Sequence, residues 1–167
     1  AFTQTDDLIL GTERGVERWY ADSGTVELLH PLEIDPKYNA VTRFNDGAVD
    51  PRGRFWVGSM PLNEAEYDKP AGKLYRFDPD GSLHLMETEL TISNGIDWSE
   101  DGKTMLLTDS VRRSIYAYDF DMDTGAISNR RTLIQIGPDS GVPDGLTYDA
   151  EGYIWTARYD GFGLFRY

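Results

Sequence analysis

The sequence contains no cysteine and only two histidines. Without cysteine there is no disulfide framework, no thiolate nucleophile and no Cys-type zinc site. The histidines, His30 and His84, fall in separate segments that read as outer hairpins, so they supply neither a His-rich zinc site nor a catalytic triad. No Gly-x-Ser-x-Gly nucleophile elbow occurs. Basic charge is scarce as well: 16 Lys and Arg stand against 29 Asp and Glu, for a net charge of -13. Phosphate binding needs a basic stripe, and so does an anionic membrane surface, so neither nucleic acid nor membrane is an expected partner. The acidity reads first as a source of solubility, and more sharply as attraction for a cation. No apolar run reaches the roughly 18 residues of a membrane helix. Residues 1–10 lack the basic n-region of a signal peptide. The expected location is cytoplasmic, with the N-terminus open to being incomplete, because the chain starts at Ala1.

What is present is a packed-core composition with a repeat. The 167 residues are 40% hydrophobic and 13% aromatic, which suits one folded domain and not a disordered chain. Residues 45–60 (NDGAVDPRGRFWVGSM), 94–109 (NGIDWSEDGKTMLLTD) and 144–160 (DGLTYDAEGYIWTARYD) share one pattern. A polar residue leads into a short strand-like run, a turn ending in Gly, and a second apolar run. The turn glycines are Gly53, Gly102 and Gly152. Eight residues before each stand Asn45, Asn94 and Asp144, at intervals of 49 and 50. Between these segments lie residues 15–30, 73–88 and 114–134, each alternating apolar and polar residues across a Gly turn, and residues 164–167 open a further copy. Alternation at period two around Gly and Asp turns marks half-buried hairpins. Two hairpins in roughly fifty residues make the four-stranded blade of a β-propeller. The fold class is therefore all-β, with three to three and a half blades in this chain. A propeller needs at least four to close, so the missing blades would come from another copy, another chain, or sequence beyond both ends.

The innermost strand of each blade lines a propeller's channel, so equivalent residues on those strands form a ring. Asn45, Asn94 and Asp144 would place two amide oxygens and a carboxylate around one axis, which suits a hard cation such as calcium, magnesium or manganese. Asn-Asp-Gly, Ser-Asn-Gly and Pro-Asp-Gly are also ordinary turn sequences, and both readings stand at this point.

The motifs Arg43-Phe44-Asn45-Asp46-Gly47, Ser93-Asn94-Gly95-Ile96-Asp97-Trp98-Ser99 and Pro143-Asp144-Gly145 resemble the regucalcin (senescence marker protein)/gluconolactonase family. So do Thr124-Gly125, Ser128-Asn129-Arg130-Arg131 and Asp149-Ala150-Glu151-Gly152, and the likeness runs from Gly11 to Tyr167. The resemblance implies a six-bladed propeller with one divalent cation in its channel and a sugar lactone as substrate. It implies Asn94 and Asp144 as direct metal ligands, with Arg43 and Asn45 contacting substrate or completing the metal shell. Calcium is the first expectation for the cation, with zinc, manganese and magnesium as alternatives. The family's first ligand, a Glu in an N-terminal blade, has no match here. Glu13 lies too close to the first motif, and the C-terminal blades are also missing. Residues 1–167 thus read as a single partial propeller domain. Residues 61–69 form a loop in which Asn63 or Glu64 would meet substrate.

For a complete site the implied chemistry is lactone hydrolysis. The carbonyl oxygen is polarised by the cation, water attacks the carbonyl carbon, Asp144 acts as general base, and Arg43 holds the hydroxyls or the developing carboxylate. Two other readings remain: a non-enzymatic calcium-binding propeller, and an inactive fragment without the Glu ligand. Asp119, Asp121 and Asp123 before Gly125 miss the spacing of an EF-hand and read as an acidic hairpin turn. Trp56 and Trp155 read as packing between blades. Tyr148, Tyr153 and Tyr159 read as core or surface, with sugar stacking as the sharper alternative.

Overall fold

Neighbouring residues of one strand enter different hydrophobic layers. In β9 (Thr104–Asp109), Met105 and Leu107 pack with Trp56, Trp98 and Phe120, while Leu106 packs with Ile115, Ala117, Ile136 and Ile154. In β5 (Phe55–Pro61), Trp56 enters the first of these layers, and Phe55 and Val57 enter a third with Val16 and Phe44. A strand covered on both faces needs apolar residues at consecutive positions, which explains the apolar runs Phe55-Trp56-Val57 and Met105-Leu106-Leu107.

The computed structural model describes residues 1, 3–32 and 37–167. Among them fourteen strands form four antiparallel sheets, each an up-and-down meander in sequence order. The first holds β1 (Leu8–Gly11), β2 (Gly15–Trp19) and β3 (Val26–Pro31). The second holds β4 (Thr42–Val49), β5, β6 (Gly72–Phe77) and β7 (Leu83–Leu90). The third holds β8 (Ser93–Trp98), β9, β10 (Ser114–Phe120) and β11 (Ile127–Gln135). The fourth holds β12 (Val142–Tyr148), β13 (Ile154–Tyr159) and β14 (Gly163–Arg166). These are successive blades of a β-propeller, three and a half in strand count. The helical content is one 3-10 turn, Glu64–Glu66, and among the described residues no helix is long and apolar enough to cross a membrane.

The two three-stranded sheets differ in what they lack. Ala1 exchanges both main-chain hydrogen bonds with Ile9, and it stands to Ile9 as Ala48 stands to Trp56 in the second sheet. Ala1 thus takes the place in the first sheet that an inner-strand residue holds in the second. The fourth sheet carries the first three strands of the repeat, and its outward residues are exposed: Tyr159 is 71% exposed and Phe162 95%.

The inner-strand turns explain the repeat spacing. Gly53, Gly102 and Gly152 all have positive φ, at 81°, 65° and 84°, a backbone region where L side chains are strained. Asp50 closes its turn by accepting from the Arg52 and Arg54 main-chain N–H groups, from Arg54 Nε at 2.6 Å and from Trp56 Nε1 at 2.9 Å. Asp149 accepts in the same way from Glu151 N, Tyr153 N and Trp155 Nε1. Arg54 and Arg76 then reach across to main-chain oxygens of residues 122–125, clasping the second sheet to the third.

Candidate functional site

The three oxygen donors singled out by the repeat share one local irregularity. On β4, Phe44 faces Ser59 and Gly47 faces Val57, so three steps on the inner strand meet two on its neighbour. The same slip separates Ser93–Asp109 from Ile96–Leu107, and Pro143–Arg158 from Leu146–Thr156. Asn45-Asp46, Asn94-Gly95 and Asp144-Gly145 thus sit in equivalent one-residue β-bulges, a device that re-aims a side chain within a strand. The turn reading of these triplets does not hold. Short polar residues followed by Gly suit a bulge for the same conformational reason that they suit a turn.

Contacts between inner strands bring the bulges together. β8 has β4 on one side and β12 on the other. Asn45 Nδ2 donates to the Ser93 main-chain oxygen at 3.1 Å, one residue from Asn94. A Cβ on Gly95 would lie 2.4 Å from Leu146 N and 2.8 Å from the Gly145 carbonyl carbon, so β8 and β12 touch backbone to backbone beside Asn94 and Asp144. Burial pushes the Asp46 carboxyl up, the Gly47 N–H opposes this, and the charge of Asp144 raises it further.

The side chains at this level are engaged differently. Arg43 donates to its neighbour Phe44's oxygen at 2.9 Å and to Asn45 Oδ1 at 3.1 Å. Asn45 is therefore held through both ends of its amide. Among the described residues Asn94 is tied only through Nδ2, which donates to Ser110 Oγ at 3.1 Å. The Asp144 carboxylate makes no hydrogen bond or ion pair among the described residues. Arg43, Asn45, Asn94 and Asp144 are all half-buried, as channel-lining groups should be. Among the described residues no three Asp, Glu, His or Cys side chains gather as a metal cluster, so any cation here would draw on the amides. The donor chemistry fits a hard cation: an amide oxygen turned free by its anchored nitrogen, an unpaired carboxylate, and a second carboxylate within its field.

The other expected residues stand on connecting turns, loops and further strands. Glu13 is exposed in the turn between β1 and β2. Asn63 caps the 3-10 turn by accepting from Ala65 N, and Glu64 is exposed beside it. Their loop joins β5 to β6 at the Thr42 end of the inner strand. His30 and His84 lie on β3 and β7, as expected of outer hairpins. Asp119, Asp121 and Asp123 form an acidic hairpin: Asp119 accepts from Asn129 and Arg131, Asp121 from Thr124 N, and Asp123 from Arg52. Trp56 is fully buried between sheets, whereas Trp155 is 37% exposed on the fourth. Tyr148 and Tyr153 flank the turn of residues 149–152, and Tyr159 lies at the opposite end of β13. Sequence reasoning missed Ser93, Ser110 and Gly95, whose roles depend on cross-strand register. The only signal for them was their fixed distance from the repeated donors.

Two cavities open between blades, of about 760 Å³ by Ile9, Arg18 and Phe77 and about 470 Å³ by Ser99, Asp101 and Tyr148. Neither is lined by Arg43, Asn45, Asn94 or Asp144.

Comparison with known proteins agrees with this fold. The SMP-30/Gluconolactonase/LRE-like region matches residues 1–167. Regucalcin of Xenopus laevis is 45% identical over 161 residues, covering 95% of this chain and 52% of its own length. The calcium-binding protein regucalcin of Agrobacterium tumefaciens superimposes with a TM-score of 0.85 at 26% identity, over 99% of this chain and 54% of that one. A gluconolactonase of Xanthomonas campestris gives 0.72 at 26% identity, over 100% and 57%. The chain spans about half the length of the curated relatives it matches. On these grounds the chain belongs to the SMP-30/gluconolactonase/LRE-like family.

Proposed function

We propose that this chain is part of a metal-dependent hydrolase that opens sugar lactones. The observation that carries the reading is the set of three matched bulges, which present Asn45, Asn94 and Asp144 at one level with Arg43 beside them. Kinship with a gluconolactonase supports the substrate class. A divalent cation bound by Asn94 and Asp144 would supply the positive charge that stabilises the oxyanion of ester hydrolysis. Asp144, whose carboxylate has no hydrogen-bond or ion-pair partner among the described residues, would accept a proton from the attacking water. Arg43, fixed by the Phe44 oxygen and by Asn45, would hold substrate hydroxyls or the product carboxylate with its remaining N–H groups. Asn45 then serves the substrate side more than the cation, because Arg43 already occupies its oxygen. Calcium is the first candidate ion, since it takes six to eight oxygen ligands and a relative of similar fold is a calcium-binding protein.

The remaining blades and ligands would come from the rest of a longer chain. The described residues alone hold fourteen strands, so two copies would carry more than six four-stranded blades hold, which counts against closure by a second copy. The test is lactone hydrolysis by the intact protein with calcium, zinc or manganese added. Absence of hydrolysis with all three ions overturns the reading.

A non-enzymatic calcium-binding propeller is the second reading, favoured by the calcium-binding relative. Arg43→Ala separates the two. Under the first it abolishes hydrolysis and leaves metal affinity within about threefold, because a residue on the substrate side is not a metal ligand. Under the second there is no hydrolysis to lose.

A further inference from the structure

The three donors are followed sixteen residues later by three different residues, Pro61, Ser110 and Asp160. Each stands where the second strand of its blade ends, beside the bulge of the inner strand. Pro61 offers no side-chain hydrogen bond, and Asn45 turns instead to the Ser93 main chain. Asp160 stands in the blade of Asp144, which has no amide to donate. Only in the third blade does a hydroxyl face an asparagine: Ser110 Oγ accepts from Asn94 Nδ2 at 3.1 Å.

Ser110 is itself tightly held. It is 3% exposed, its N–H donates to Ile92 O at 3.0 Å, and its carbonyl accepts from Arg113 N at 2.9 Å. The preceding residue, Asp109, is fully buried and accepts from both the main-chain N–H and the hydroxyl of Thr91. These bonds tie the start of the inner strand to the β9–β10 turn and fix the main chain that carries the Ser110 hydroxyl.

An asparagine amide has two unlike ends, and only its oxygen can serve a cation. Fixing the nitrogen elsewhere decides which end faces the channel. We infer that Ser110 is a positioning residue that sets the orientation of the Asn94 amide, so that its oxygen is presented for cation binding. The inference rests on the proposed metal site, and it concerns a residue that touches neither substrate nor cation.

The experiment is manganese binding by the intact protein, followed by the paramagnetic signal of the free ion. Ser110→Ala is expected to weaken binding on the order of tenfold, as loss of an outer partner to a metal ligand does, and Ser110→Thr to restore it to within about twofold. The decisive comparison is in an Asn94→Asp background. A carboxylate has no wrong end, so removing the Ser110 hydroxyl there should cost nothing. Loss of affinity in both backgrounds marks a merely structural role and overturns the inference, as does equal affinity of wild type and Ser110→Ala. If the wild-type intact protein takes up no manganese, the metal reading fails on its own. Orientation is then read from the Asn94 side-chain amide resonances of the metal-free chain. They should move in Ser110→Ala and stay in Ser110→Thr, and unmoved resonances in Ser110→Ala sink the proposal.

Discussion

Asn45 donates its side-chain amide to the main-chain oxygen of Ser93 across 3.1 Å, and so fastens the bulge of one blade to the start of the next inner strand. The same amide accepts from Arg43 through its oxygen at 3.1 Å. One side chain thereby sets both the spacing of two blades and the direction of the arginine. Asn45→Ala breaks both bonds and leaves the carbonyl of the fully buried Ser93 without this donor. The expected loss is about 1–2 kcal/mol of unfolding free energy, read from urea denaturation. Asn45→Asp keeps an acceptor for Arg43 and loses the donor to Ser93, so it should also destabilise. A variant of either kind as stable as wild type would show that the bond contributes nothing.

Much of this architecture was legible from residue spacing. Gly53, Gly102 and Gly152 mark turns with positive φ, and the donors lie a constant eight residues ahead of them, so strand count and blade period followed from the chain alone. The bulge did not, because Asn-Asp-Gly is compatible with a turn and with an irregular strand. The partners of the donors were hidden for a different reason. Ser93 meets Asn45 from 48 residues away and Ser110 meets Asn94 across a hairpin, and which residues face each other depends on register that no local pattern states. Trp56 and Trp155 look alike in sequence and differ in burial, because the third sheet covers Trp56 and no sheet among the described residues covers Trp155.

That difference between the tryptophans is measurable in this chain. Trp56 is fully buried, donates to Asp50, and stacks edge-on against Trp98 and Phe120 at 6.0 and 6.1 Å. Trp56→Ala should cost about 3–5 kcal/mol, the range for deleting a large buried aromatic. Trp155 makes the equivalent bond to Asp149 at 2.9 Å but stands on an uncovered face. Its replacement by Ala should cost about 1 kcal/mol, near the worth of a single hydrogen bond. Equal losses in parallel denaturation curves would contradict the assignment of the two faces.

Asp149 predicts a particular acid dependence. Burial alone would raise its carboxyl, but hydrogen bonds from Trp155, Tyr153, Arg166 and Glu151 outweigh it and hold the pKa at about 2, below the ordinary 3.8. A carboxyl depressed in the folded state contributes stability that is complete above its unfolded value and is lost as pH falls through the folded one. Wild type should therefore exceed Asp149→Asn in stability at neutral pH, and the gap should close as pH falls from 3.8 towards 2. Unfolding free energies of the two proteins, measured side by side over that range, give the answer. A gap independent of pH would mean that the charge of Asp149 is not what the turn requires.

Gly95 offers the most direct test of whether the bulges act as one site. It needs no unusual backbone angle, so its absence of a side chain is a matter of space. A Cβ there would lie 2.4 Å from Leu146 N and 2.8 Å from the Gly145 carbonyl carbon. Both are main-chain atoms that cannot turn aside as the end of a flexible side chain can. Gly95→Ala must push β8 and β12 apart at the step where Asn94 and Asp144 approach. Overpacking of this kind costs about 1–3 kcal/mol, which a folded chain of this size can survive. The expected result is a folded protein, by circular dichroism, whose manganese affinity falls on the order of tenfold or more, because misplaced ligands lose geometry. Gly145→Ala is the matched control. A Cβ at Gly145 meets no atom within 4 Å, so that variant should keep the inner strands in place and bind as wild type does. If Gly95→Ala binds as tightly as Gly145→Ala, the closeness of the two inner strands is not what assembles the donors.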